Sequence, residues 1–168
     1  MMTITSAPRR VAPRAGETYQ VLGEHVTFKA LAADTAGGYT LFELRTAPGV
    51  GSAPHRQHHE DEALFVLEGT YSALIGDERV ELGAGSSVFL PRGTIHALTN
   101  SGTSVARMLI MVMPGLNHAR FLTEIGELVE DTARYTPGLP VSDSQLAFAA
   151  AQCGIEFFAE REACLSAA

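Results

Sequence analysis

Residues 54–69 read PHRQHHEDEALFVLEG and residues 85–100 read GSSVFLPRGTIHALTN. In the first stretch His55, His58, His59, Glu60, Asp61 and Glu62 put six metal-binding or proton-transfer groups within eight positions, in a chain with six histidines in all. Any one of them alone would be an ordinary solvated loop residue. Gathered directly ahead of the apolar run ALFVL, they mark a candidate site. Side chains alternate along an extended chain, so His55 and Gln57 share one face while Arg56 and His58 share the other. Divalent metals take imidazole nitrogen and carboxylate oxygen from converging directions and keep open positions for a substrate or dioxygen.

Outward from these stretches, residues Tyr19 to Met113 fall into short runs rich in Val, Leu, Phe, Tyr and Thr, broken every 5 to 10 residues by Gly, Pro, Asp or Asn. That spacing predicts an all-β sandwich or barrel, with strands near 19–22, 25–33, 39–47, 62–68, 71–76, 78–82, 86–90, 95–99 and 104–113. Hairpins are expected at Gly76-Asp77 and at Gly83-Ala84-Gly85. After Pro114 the period changes: Phe121, Leu122, Ile125, Leu128 and Val129 recur at helical spacing, predicting a helix near 117–130 capped by Asn117. A Pro/Gly loop, Tyr135 to Pro140, leads to Ser142 and Gln145, three apart, which form a capping box for a second helix near 142–153. A third is expected near 157–165. The chain divides accordingly into a flexible arm at 1–18, a barrel at 19–115 and a helical extension at 116–168.

The charge balance is 12 − 19 = −7, with 46% hydrophobic and 18% charged residues. Sixteen Gly and eight Pro in 168 residues argue against an all-α bundle. An acidic chain without a Lys/Arg block argues against nucleic acid and against anionic membranes as partners. No run approaches the ~20 apolar residues of a membrane span and no secretory apolar core opens the chain, so a cytoplasmic protein is expected. Cys153 and Cys164 do not make a disulfide framework. His25, in an apolar strand, and His118, at a helix start, read as structural or solvated, and Met108, Met111 and Met113 as core filling. Ser86 and Ser87 lack a nucleophile elbow, and the Gly-rich turns lack the offsets of a phosphate loop.

Two spacings then stand out: His55, one residue, Gln57, four residues, Glu62, six residues, Gly69; and Gly85, five residues, Pro91, one residue, Gly93, two residues, His96, three residues, Asn100. They resemble the two motifs of the cupin superfamily, separated here by fifteen residues. Roughly residues 19 to 165 resemble the small, single-domain, quercetin-dioxygenase-like cupins. The resemblance implies a double-stranded β-helix, a jelly-roll barrel of two antiparallel sheets with helices packed outside. It also implies one divalent ion (Fe, Mn, Ni, Co, Cu or Zn) held by His55, Gln57, Glu62 and His96. Gln57 departs from the pattern, because a carboxamide stands where the family has an imidazole. Three good donors remain, a two-His, one-carboxylate set. A competing register pairs Arg56 with His58, but a guanidinium cannot coordinate; a bulge in the loop would instead bring His58 beside His55. His59, Glu60 and Asp61 are left as a solvated loop or as groups orienting a ligand imidazole.

Two functions follow. One is a metal-dependent enzyme, a dioxygenase or a related isomerase or cyclase, acting on a small enolic, phenolic or polyketide-like substrate with Glu62 as general base. The other is a binding or sensing module with a weakened or empty metal site. The partner in either case is a small apolar or aromatic molecule held in an apolar pocket, lined from 39–47, 62–68 and 104–113, with Phe42 and Leu44 facing in. A homodimer is expected, because exposed sheet edges need cover.

Overall fold

The computed structural model describes residues 8–13, 15–132 and 141–159. The expected loop at 135–140, most of the expected third helix and Cys164 lie outside these residues. The described chain forms β1 (Thr18–Val21), β2 (Glu24–Ala30), β3 (Thr40–Thr46), β4 (His55–Gln57), β5 (Asp61–Glu68) and β6 (Thr70–Ile75). There follow β7 (Glu78–Gly83), β8 (Ser87–Leu90), β9 (His96–Asn100), β10 (Ala106–Met113), α1 (Leu116–Ile125), β11 (Glu127–Leu128), α2 (Asp143–Cys153) and β12 (Ile155–Phe157). Two antiparallel sheets face each other, one in the order β11-β1-β2-β3-β10-β5-β8 and the other β12-β4-β9-β6-β7. The fold is a jelly-roll barrel with C-terminal helices.

Strict alternation explains the inner wall. In β3, Thr40, Phe42, Leu44 and Thr46 are buried while Leu41, Glu43 and Arg45 are half-exposed, and β10 repeats the pattern with Ala106, Met108, Ile110 and Val112 inside. Arg107 faces out and forms ion pairs with Glu43 and Glu68. Each fully buried Phe, Leu, Met or Val contributes about 1.5–3 kcal/mol of transfer free energy, so this inner layer is the main source of stability. Gly69, between β5 and β6, has φ 80° and a Cβ there would lie 2.7 Å from the Cβ of Ala106. Both the turn and the close approach require glycine at that motif position.

Several local expectations are corrected. Gly76-Asp77 closes the β6–β7 hairpin, but Gly83 to Gly85 carries the chain from one sheet to the other, since β7 and β8 belong to different sheets. Residues 155–157, placed partly in a third helix, form β12 and pair with β4. Asn117 does not cap α1: the N-cap is Gly115, without a side-chain hydrogen bond. The Ser142–Gln145 capping box of α2 is present as expected. The helices pack from β1, next to the edge strand β11 of one sheet, across to the edge strand β12 of the other, α1 on β1 and α2 on β12. Among the described residues no helix is long and apolar enough to cross a membrane.

Candidate active site in the barrel cavity

The three-residue strand β4 lies between β12 and β9, with His55 directly opposite His96 on β9 and Gln57 opposite Ile155 on β12. Alternation turns His55 and Gln57 inward, where both are buried, and turns Arg56 and His58 outward onto Glu156. His58 thus stands on the outer face, away from His55. The two imidazoles are 4.3 Å apart between ring centroids. His55 Nδ1 lies 2.9 Å from the Ala53 carbonyl oxygen and His96 Nδ1 lies 3.0 Å from that of Thr94. A carbonyl can only accept, so each Nδ1 carries the proton and donates it. On His55, Nε2 is then the nitrogen with a lone pair to offer, whereas His96 Nε2 faces Glu62 and must give up its proton before it can bind a metal.

Glu62 reaches the same place from β5 in the facing sheet. Its Oε2 is 3.3 Å from His96 Nε2 and accepts the Gln57 amide N–H at 2.5 Å. Gln57 Oε1 is buried without a hydrogen-bond partner. Burial pushes the Glu62 carboxyl up, but the hydrogen bond and positive charge of His96, with His118 and His55 beyond, outweigh it and hold the group down to about 2. Burial lowers His55 to about 3, aided by the charge of His96. Burial also opposes charge on His96, yet its hydrogen bond to Glu62 leaves it raised above the usual histidine value. A carboxylate held charged beside one imidazole and close to a second, neutral one suits a cation between them.

His55, Glu62 and His96 line a cavity of about 840 Å³, its open mouth included. Phe42, Leu44 and Ile110 face it as the alternation predicts, but from 62–68 only Glu62 does so. The sequence reading missed what the helices add: Phe121 and Leu122 of α1 and Leu146 of α2 form part of the wall, so the helices are not merely external. Two polar residues were missed as well. His118, read as structural or solvated, is buried in α1 and lines the cavity with His55, Glu62 and His96. It stands three and four residues before Phe121 and Leu122, a helical spacing that already puts it on the apolar face. Glu24, the first residue of β2, lines the cavity and accepts a hydrogen bond from Thr46 Oγ1 at 2.9 Å. Burial pushes its carboxyl up to about 7 against the lowering effect of that bond. Glu24 pairs with Thr46, whereas the Glu62 row crosses β3 at Thr40, so the two carboxyls belong to rows six residues apart along β3.

The residues around the site hold rather than react. Glu60, buried, accepts the backbone N–H groups of Asn117 and His118 at 2.9 and 2.7 Å and so caps α1 in place of Asn117. Asp61 is bidentate on Arg92. Among the described residues no three His, Cys, Asp or Glu side chains are already gathered around one point as a bound ion's ligands would be. The donors fit an ion in kind: two imidazoles fixed through Nδ1, an ionised carboxylate, and a buried amide oxygen without a partner.

Residues 42–113 match the cupin domain family. Over 74 residues the chain is 28% identical to the tetracenomycin polyketide synthase protein TcmJ of Streptomyces glaucescens, covering 44% of this chain and 50% of that protein. The chain thus spans about half the length of this curated relative. Among solved structures, the polyketide cyclase RemF of Streptomyces resistomycificus superposes with a TM-score of 0.57 at 20% identity, over 64% of this chain and 80% of that one. An RmlC-like cupin of Shewanella frigidimarina gives 0.58 at 13% identity, over 68% and 99%. At these identities the structural likeness concerns the fold.

Proposed function

We propose that this cupin barrel is an enzyme that binds a small, apolar, enolisable molecule of polyketide-like chemistry and isomerises or cyclises it beside one divalent ion. His55, His96 and Glu62 would hold the ion. When bound, it supplies Lewis-acid polarisation of a keto or enol oxygen. The observation that carries the reading is the pair of imidazoles locked through Nδ1 onto the Ala53 and Thr94 carbonyls, beside the buried Glu62 carboxylate in a cavity whose other lining is mainly apolar. The partial identity to a polyketide synthase protein supports the substrate class.

The chain's own groups do the rest. Phe42, Leu44 and Ile110 bind the apolar body and exclude water. Gln57 ties one oxygen of Glu62, which orients the other for the substrate. A carboxyl held at about 2 is a weak base, and filling the cavity with an apolar substrate raises it by removing the remaining water. Glu24, protonated up to about 7, is placed to donate a hydrogen bond to a carbonyl at its own end of the cavity.

The test is deuterium exchange at the acidic carbon of an aryl 1,3-diketone, followed by NMR with the metal-loaded chain. Catalysed exchange that is lost in Glu62→Gln, while the diketone still binds, supports the reading. Binding without exchange contradicts it in favour of a sensing module, and oxygen uptake in favour of the dioxygenase that the same three donors also suit.

A further inference from the structure

We propose that His118, on the first turn of α1, is the third imidazole of the ion site and supplies the nitrogen that Gln57 withholds. The proposal rests on the ion-binding reading above and goes beyond it, because His118 lies outside both motif segments. Four observations carry it. His118 is 8% exposed and lines the same cavity as His55, Glu62 and His96. Its Nδ1, like Gln57 Oε1, is buried without a hydrogen-bond partner. Its ring is set by packing, tilted against Phe42 at 5.7 Å and edge-on to Phe121 at 6.4 Å between centroids.

The fourth observation is that its backbone is tied to the site from two sides. Glu60, two residues before Glu62, accepts the His118 N–H, and the Gly115 carbonyl accepts from Thr40 Oγ1 at 2.8 Å. Gly115 has φ 84°, and a Cβ there would meet Thr40 N at 2.3 Å and Val112 O at 2.6 Å, so α1 begins against the row that carries Glu62. A leucine or phenylalanine would complete this apolar wall without burying a polar nitrogen. An imidazole whose Nδ1 has no partner, held among aromatic rings in a cavity it shares with a carboxylate and two further imidazoles, has what a ligand histidine requires.

The test uses the full chain freed of metal by chelator and titrated with Cu²⁺, with the number of coordinated imidazole nitrogens counted from the hyperfine pattern of the electron paramagnetic resonance spectrum. Calorimetric titration with Co²⁺ gives the affinity in parallel. Wild-type protein is expected to show three nitrogens and His118→Gln two. Affinity for Co²⁺ should fall more than about 100-fold in His118→Gln, since even partners one bond removed from a metal are worth 10–100-fold. The double variant Gln57→His with His118→Gln should regain both. The nitrogen count in wild-type protein needs no variant and stands even if His118→Gln folds poorly. Two nitrogens in wild-type protein, or unchanged affinity in a folded His118→Gln, overturns the proposal and leaves the His55, Glu62 and His96 site intact. Absence of any wild-type binding overturns that site and His118 with it.

Discussion

At Gln57 an amide spends its N–H on Glu62 Oε2 at 2.5 Å and leaves its oxygen without a partner. An imidazole at the same place would offer the ion a stronger donor, so Gln57→His should raise Co²⁺ affinity by about tenfold or more on calorimetric titration. His58→Ala should change it by less than about twofold, because His58 is turned outward onto Glu156. Glu24 governs a different property. Its folded carboxyl keeps its proton to about 7, whereas an unfolded one ionises near 4.5, so the folded state holds the extra proton between those values. The stability this lends is complete below pH 4.5 and is lost as pH rises through 7. Glu24→Gln, which imitates the protonated form, should therefore gain stability over wild type between pH 5 and pH 8, on the order of 1–2 kcal/mol in denaturant titrations. His55 gives the opposite slope on the acid side, from about 6.5 down to about 3, but it is common to both proteins and cancels in the comparison. His55, Glu62 and His96 were legible because their spacing is contiguous within two short segments. Glu24 was not, because β2 is buried at four successive positions and gives no alternation from which to read a facing side.

Among the elements, the long strands were legible from punctuated apolar runs, and α2 from its capping box. The strand that carries the site was not: β4 is three residues of His, Arg and Gln, and is extended only because β9 and β12 pair with it. Its partner β12 follows a helix directly, and the sequence IEF has no period to set it apart. The Gly83–Gly85 turn was misread because glycine reports that the chain bends, not which sheet it enters next. Helix α1 shows how tertiary structure replaces a local signal, for its cap comes from Glu60, 57 residues before Asn117 in the chain. Glu60→Ala should cost about 1–2 kcal/mol in chemical denaturation, the loss of a charged cap on two backbone donors. It should also weaken ion binding more than Asp61→Ala does, since Asp61 bonds Arg92 at the surface and Glu60 holds the backbone of His118.

For the whole molecule, the outer face of the seven-stranded sheet near its β8 edge is apolar. Phe65 is 43% and Phe89 61% exposed, and the register sets Ala63, Leu109 and Met111 beside them at partial exposure. A face of this kind on a sheet edge favours a second copy of the chain, so sedimentation at micromolar concentration should find a homodimer, and Phe89→Lys should shift it to monomer. Dimerisation through this face would leave the cavity, which lies between the sheets, free to work. The all-β architecture followed from residue spacing and the jelly-roll form from the cupin resemblance, whereas only the strand side of the cavity, Phe42 and Leu44, was legible, because the rest of its wall includes residues of both helices that only packing brings to the gap between the sheets. On the proposed function, this cavity would hold a divalent ion between His55, Glu62 and His96. Anomalous scattering at the zinc edge, from crystals grown with zinc, tests it most directly. One peak within about 2.0–2.3 Å of both Nε2 atoms and a Glu62 oxygen is expected; density for the three side chains with no peak among them, at saturating zinc, would contradict the ion site.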